Sequence, residues 1–376
     1  MPISGTDGRT GEHYRSFGFL PNPLPRAIEL ATPTWMAVTR AERALARLDQ
    51  AARQLPDPAL LHQPSLRREA QSTSALEGTF APFETVLESS IDQRDDLSLE
   101  VREVLNYVVA AEQAFAWIQE RPLTATFVTG LQRTLVRDTP SEHGDAGQLR
   151  DRQVAIGPAG SPIAAATFVP APPGDQLRAA FEDWVGWVND PPPDMPAVVQ
   201  AALAHYQFET LHPFSDGNGR IGRLLIVLQL MRQEALHDPL LVVSPWFEAR
   251  RDEYQGGLQR LSESGDWDGW VRFFATGIGA SAETTQARVD QLVAWRDQTL
   301  EQLRDARGIG LAERIADTLI GNPVLNANDV AGQHEVSHQG AMNALRRLAG
   351  LGILEERRRG GRVIFVARAV VELLSR

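Results

Sequence analysis

The run Leu211-His212-Pro213-Phe214-Ser215-Asp216-Gly217-Asn218-Gly219-Arg220-Ile221-Gly222-Arg223 constrains this chain more than any other stretch, because it interrupts two apolar helices. Val198, Val199, Ala202 and Tyr206 precede it at helical spacing, and Ile221, Leu224, Leu225 and Leu228 follow it. Pro213 ends the first helix near His212, and Gly217-Asn218-Gly219 permits positive φ before the second helix begins. The backbone N–H groups of such a turn can point inward together, forming an anion nest at a helix N-terminus.

Arg220 and Arg223 lie three apart and share a face of the first helical turn, where cations oppose the helix dipole. A bound anion compensates. The phosphates of a nucleotide would supply it, with the nest and Arg220 holding them and Arg223 reaching the terminal one. Asp216 adds a carboxylate able to hold Mg²⁺ against two phosphates. His212, at the end of the preceding helix, can take a proton near neutral pH.

This string is similar at every defined position to the signature of the Fic family, His-Pro-Phe-x-(Asp/Glu)-Gly-Asn-Gly-Arg-x-x-Arg. The resemblance implies a mainly α fold, a Fic helical core with a β-hairpin flap, and a protein adenylyltransferase that moves AMP from ATP to a Ser, Thr or Tyr hydroxyl. His212 is then the general base and Asp216 the Mg²⁺ ligand, while Gly217, Asn218, Gly219 and Arg220 stabilise phosphate charge. Phe214 is expected to anchor the loop in the core. The resemblance extends over roughly residues 30 to 290. Gly147 to Gly157, followed by Phe168-Val169-Pro170, looks like the family's flap, with strands Gln153–Ile156 and Thr167–Val169. Val154 and Ile156 then face ATP, and the target docks on 150–170 as an added strand. Tyr254 resembles a residue packed near the adenine, with Gln255 where many relatives have a second Tyr. Self-modification and a homodimer also follow by analogy, as do alternatives: AMP removal, transfer of another phosphate-containing group, or nucleotide sensing by a regulator.

Thr73-Ser74-Ala75-Leu76-Glu77-Gly78 resembles the family's inhibitory helix pattern, (Ser/Thr)-x-x-x-Glu-(Gly/Asn). Gly78 reads as a helix C-cap, which puts Glu77 in the last turn, where the dipole disfavours a carboxylate. Glu77 should seek a cation, and Arg223 has the complementary problem. The resemblance implies that Thr73, Glu77 and Gly78 form a brake, with Arg223 the cation that Glu77 would hold.

Composition closes off other chemistries. The 376 residues contain no Cys, and all 37 basic residues are Arg, so thiolate sites, Walker lysines and Schiff bases are excluded. A net charge of −11 argues against a surface devoted to phosphate backbones. No apolar run reaches the roughly 20 residues that span a bilayer, and the expectation is a cytoplasmic protein without membrane contact.

The expected organisation is a flexible arm at 1–30, a helical region with the inhibitory helix at 31–120, the catalytic core at 121–290, a linker helix at 291–310 and a winged helix-turn-helix at 311–376. In that last unit, strands 352–356 and 362–366 are expected to flank a wing tip at Arg357–Gly361. Residues 340–376 hold eight Arg and three Glu, a local excess suited to a DNA or protein contact. His334-Glu335-Val336-Ser337-His338 spells a zinc-protease string, but Ser337 reads as a helix N-cap, so the two histidines should not share a helix.

Overall fold

Helical spacing of apolar residues dominates the architecture as it does the sequence. The computed structural model describes all residues except 8–10, 12, 54–56, 90–96, 119–120, 158–161, 307–309, 360 and 376. In chain order the described residues form a hairpin, β1 (Pro2–Thr6) and β2 (His13–Phe17), then α1 (Thr32–Arg53), α2 (Ala59–Leu76), α3 (Phe83–Glu88), α4 (Leu99–Ile118) and α5 (Ala125–Val136). After a 3-10 turn at Ile163–Ala165 come α6 (Asp175–Asn189), α7 (Ala197–Leu211), α8 (Asn218–Arg232), α9 (Ser244–Glu248), α10 (Arg251–Ser264) and α11 (Trp267–Asp305). The chain closes with α12 (Leu311–Thr318), β3 (Val324–Leu325), α13 (Ala327–His334), α14 (His338–Gly350), β4 (Glu355–Arg359), β5 (Arg362–Val366) and α15 (Arg368–Ser375).

Helices α7 and α8 are buried almost all round, so they form the centre of the main core and carry the His212 loop between them. Helices α1, α4, α5, α6 and α11 surround them. A Cβ on Gly279 of α11 would lie 3.3 Å from the Ala41 Cα on α1, so two small residues let these long helices approach closely. A second core lies under the C-terminal unit, whose antiparallel sheet has the order β3-β5-β4. It also takes in Ala52, Leu61, Phe83 and Leu87 from the N-terminal helices. No helix among the described residues is long and apolar enough to cross a membrane.

Four expectations are corrected. Residues 2–6 and 13–17 are not a flexible arm: β1 and β2 pair in antiparallel register from Pro2–Phe17 to Thr6–His13, and Ile3 and Tyr14 pack on Ala155, Ile163 and Val169. The expected flap strands form a single bridge, Ile156 with Phe168, and Pro170, opposite Val154 in that register, has no N–H to extend a ladder. Its connection at 158–161 lies outside the described residues. Strand β4 starts at Glu355, after Gly352 at φ +74°, so Arg357, Arg358 and Arg359 lie on the strand and pair with Ile364, Val363 and Arg362. Helix α11 runs unbroken through residue 290, so the core's last helix and the linker helix are one.

Candidate active site

His212 closes α7. Its N–H donates to the Phe208 carbonyl at 3.0 Å, and its φ of +46° ends the helix and turns the chain into Pro213. Its Nδ1 lies 3.3 Å from the Glu209 carbonyl, which can only accept, so Nδ1 carries the hydrogen and Nε2 keeps its lone pair. Burial, and then the charge of Arg150, lower the ring's pKa to about 4, so it is neutral at pH 7. Protonation below that value removes the base. A reaction using His212 as base should therefore show kcat/KM flat from about pH 6 to 8, with an acid limb near pH 4 read from the pH–rate profile.

The turn beyond it is a nest. Gly217 has φ +85° and Asn218 starts α8, so successive N–H groups converge at the helix N-terminus. A Cβ on Gly217 would press on Leu135, and positive φ also disfavours any larger residue there. The Asn218 side chain is spent inside the loop: Oδ1 accepts from Phe214 N at 2.9 Å and Nδ2 donates to Phe214 O at 2.8 Å. It holds the loop shape, leaving main-chain N–H groups to face an anion. Phe214 is fully buried against Phe181 and Phe208, in the anchoring position expected of it. Gln132 on α5 donates to Asp216 O at 3.1 Å and accepts from Gly147 N at 2.7 Å, tying the loop to the approach to the flap.

Arg220 is buried between two carboxylates, Asp216 Oδ1 at 2.9 Å and Glu103 Oε2 at 3.2 Å. Glu103, on α4, also accepts from Thr79 Oγ1 at 2.7 Å. Arg223 is likewise buried and bound on three sides. Nε donates to Thr73 Oγ1 at 2.7 Å, and Nη2 donates to Thr73 O at 3.1 Å and to Glu77 Oε1 at 2.5 Å. Glu77 caps α2, and Gly78 follows at φ +96°. The Glu77 carboxylate lies against Gly219, where an added Cβ would strike it. Burial works against ionisation of Glu77, but Arg223, with Arg220 and His212 adding to it, holds the carboxyl below its usual range.

Beneath the loop lies a buried group that sequence reasoning did not single out. His205 contacts Gly222 O through Nδ1 at 3.1 Å and the Tyr254 hydroxyl through Nε2 at 2.7 Å. Burial, more than the nearby Arg223, lowers the His205 pKa to about 3. Burial raises Glu209 to about 8, so its carboxyl is neutral at pH 7, and its Oε1 has no hydrogen-bond partner. Tyr254 is buried among His205, Phe247 and Trp270, so it supports the site from below instead of presenting an open face. Trp270 donates to Ala202 O at 2.9 Å from within the core, and Trp267 packs edge-on against Tyr206.

The flap is joined to the loop by Arg150. Its guanidinium donates to the carbonyls of His212 at 2.8 Å, Arg152 at 3.2 Å and Ala171, while its backbone N–H donates to Pro213 O at 2.9 Å. Burial lowers its pKa to about 10, leaving it charged at pH 7. Arg150→Met strands three carbonyl acceptors, that of Ala171 buried and the others half-buried, and should lower unfolding free energy by about 3 kcal/mol, seen as a lower urea midpoint with unchanged slope. Ile156 is 38% exposed and Val154 half-buried, so the described part of the flap offers both residues some open surface. A cavity of about 410 Å³ lies between the flap, the N-terminal hairpin and α10, with Phe19, Phe168, Gln259, Ser262 and Glu263 in its wall. Ser262 is 3.0 Å from the Tyr206 hydroxyl, and Tyr206 stands six residues before His212, about 9 Å along α7. Spacing in the sequence carried no signal for Arg150, Glu103, Gln132, Glu209 or this cavity.

His334 ends α13, Glu335 has φ +55°, and Ser337 caps α14 by accepting from Gly340 N, so the HExxH string is split between helices.

The chain is similar to known proteins of one family. Residues 35–116 match the Fic/DOC family N-terminal region and residues 122–230 match the Fic/DOC family domain, together about half of the chain. Over 235 residues the chain is 31% identical to a protein named protein adenylyltransferase Fic from Drosophila willistoni, covering 62% of this chain and 40% of that protein. Over 140 residues it is 34% identical to protein adenylyltransferase fic-1 of Caenorhabditis briggsae, covering 37% of this chain and 24% of that one. The chain thus spans well under half the length of these curated relatives. A crystal structure of a Fic family protein from Desulfovibrio desulfuricans G20 shares the fold at a TM-score of 0.58 and 22% identity, covering 91% of this chain and 98% of that one.

Proposed function

Since the chain belongs to the Fic/DOC family, we propose that it is a protein adenylyltransferase moving AMP from ATP to a protein hydroxyl, with the α7–α8 loop as its catalytic centre. One observation carries the reading. A histidine kept neutral, its Nδ1–H fixed on Glu209 O, stands beside a helix N-terminal nest flanked by two buried arginines. His212 Nε2 takes the proton of the target hydroxyl as its oxygen bonds to the α-phosphorus. The bond from that phosphorus to the bridging oxygen breaks, and pyrophosphate leaves with the electron pair. The nest N–H groups and Arg220 stabilise the charge that develops on the phosphates.

Asp216 fits a Mg²⁺ role of one kind. Among the described residues no three or more His, Cys, Asp or Glu side chains form a metal cage, whereas Asp216 offers a carboxylate 39% exposed beside the nest. Mg²⁺ bound by one carboxylate and phosphate oxygens would arrive with the nucleotide and offset its charge. The cavity walled by Phe19, Phe168 and Ser262 is the seat we assign to the nucleoside, with Phe19 and Phe168 as its aromatic surface for a base.

Glu77 holds Arg223, the cation intended for the terminal phosphate, and lies against Gly219 of the nest. The resting enzyme is therefore autoinhibited. We read the C-terminal unit as a winged helix. Arg346 and Arg357, two residues that a DNA contact would use, already pair with Glu356 and Glu84, so a nucleic acid would compete with internal carboxylates. Intact-mass measurement of Glu77→Gly protein after incubation with ATP and Mg²⁺ tests the reaction class. Addition of AMP is expected; addition of phosphate, or no addition to the chain or to any offered protein, overturns the proposal.

A further inference from the structure

Helix α2, which carries Glu77, is bracketed by the C-terminal unit. Its first turn packs there: Leu61 belongs to the C-terminal core, and Gly321 approaches the Leu60 carbonyl so closely that a Cβ on Gly321 would collide with it. Pro64, four residues on, has no N–H to give that carbonyl, so this end of α2 is open to such an approach. Mid-helix, Glu69 accepts from the N–H groups of Val243 and Ser244 at 2.8 and 2.9 Å, which fixes α2 to the Fic core. What remains adjustable is the end beyond Glu69, where Thr73 and Glu77 meet Arg223.

That end is held from the far side by α3, which begins six residues after Glu77. Phe83 and Leu87 are buried in the C-terminal core, and Arg68 of α2 lies over the Phe83 ring at 5.7 Å. Outside this apolar seat is an ion-pair cluster. Glu84 accepts from Arg357 on β4 at 2.6 Å and from Arg368 on α15 at 3.2 Å, and Glu88 lies 3.9 Å from Arg357. Arg357 also pairs with Glu355 at 2.8 Å, and these carboxylates hold its pKa above the usual range. Two opposed grips therefore act on one short segment: Arg223 pulls Glu77 into the active site, and the C-terminal unit fixes α3 just behind it. A segment of six residues spans at most about 20 Å, which bounds how far α3 can move from its seat before it pulls on Glu77.

We propose that the C-terminal unit is the regulatory input of the brake, and that the Glu84–Arg357–Arg368 cluster is the latch seating α3 so that Glu77 reaches Arg223. This rests on the autoinhibition read above. A ligand of the C-terminal unit that draws Arg357 and Arg368 from Glu84 would release the enzyme, and an anionic surface has the chemistry to do so.

The test uses the full chain. Glu84 is 36% exposed, so Glu84→Arg should fold. Facing Arg357 and Arg368 with a third cation should raise self-incorporation of AMP from labelled ATP about fivefold or more. In the Glu77→Gly background the same change should add nothing, and Arg357→Glu, which removes the cation from the other side of the cluster, should raise labelling in the same direction as Glu84→Arg. Wild-type labelling by Glu84→Arg beside raised labelling by Glu77→Gly overturns the latch. Hydrogen exchange over residues 73–79 reads the latch without activity. Faster exchange in Glu84→Arg supports it even if Glu77→Gly incorporates no AMP, which would count against the transferase reading alone; unchanged exchange overturns it.

Discussion

Replacing His212 with Ala in the Glu77→Gly background is expected to lower AMP incorporation by about 10²- to 10⁴-fold, the range typical of a lost general base. Among the described residues nothing else in the site is placed to take over. Glu209 is a neutral acid at pH 7 and His205 is enclosed with Tyr254, while Asp216 is paired with Arg220. The loop should survive the change, because among the described residues the His212 side chain makes one hydrogen bond, to Glu209 O, and the turn is held by Asn218, Phe214 and Arg150. ATP affinity measured by titration calorimetry should therefore stay within about threefold of the parent while turnover collapses, the pattern of a group acting in the transition state. A His212→Ala enzyme that incorporates AMP within about threefold of its parent would remove the base assignment.

Glu77→Gly is expected to raise AMP incorporation about tenfold or more over wild type and to tighten ATP binding in parallel, within the range of coupling energies between sites. The reason is the geometry at Arg223. Thr73 keeps two hydrogen bonds to the guanidinium when the carboxylate is gone, so the cation stays in place and loses its internal counter-ion. A terminal phosphate then replaces the lost carboxylate, and the space against Gly219 opens to it. Labelling with radiolabelled ATP compares the two proteins directly. Equal, low labelling of wild type and Glu77→Gly would sink the brake.

Much of the site was legible because it is written in consecutive residues. Pro213 after an apolar helix, then Gly217 and Gly219 around Asn218, specify a helix stop, a positive-φ turn and a helix start wherever the chain folds, and the observed φ values follow. The ionic preference of Glu77 and Arg223 is local too, since each opposes the dipole of its own helix. Elements that depend on partners were harder to read. The N-terminal hairpin was hidden because Gly and Pro break its short alternation, and its inward residues find their apolar cover on the flap. Arg357 to Arg359 were assigned to a turn on composition, whereas pairing with β5 carries the strand through them.

By itself the sequence determined where α7 breaks, which backbone groups face an anion, and that His212 stands beside them. These are properties of neighbouring residues and their allowed φ and ψ. Only the tertiary structure decided that His212 is neutral, that Arg150 joins loop to flap, and that the expected Glu77–Arg223 pair closes across 146 residues of chain. Burial sets the first, and packing of α2 against α8 and the C-terminal unit sets the last. Desolvation and long-range contact belong to the folded chain and have no counterpart in the spacing of residues.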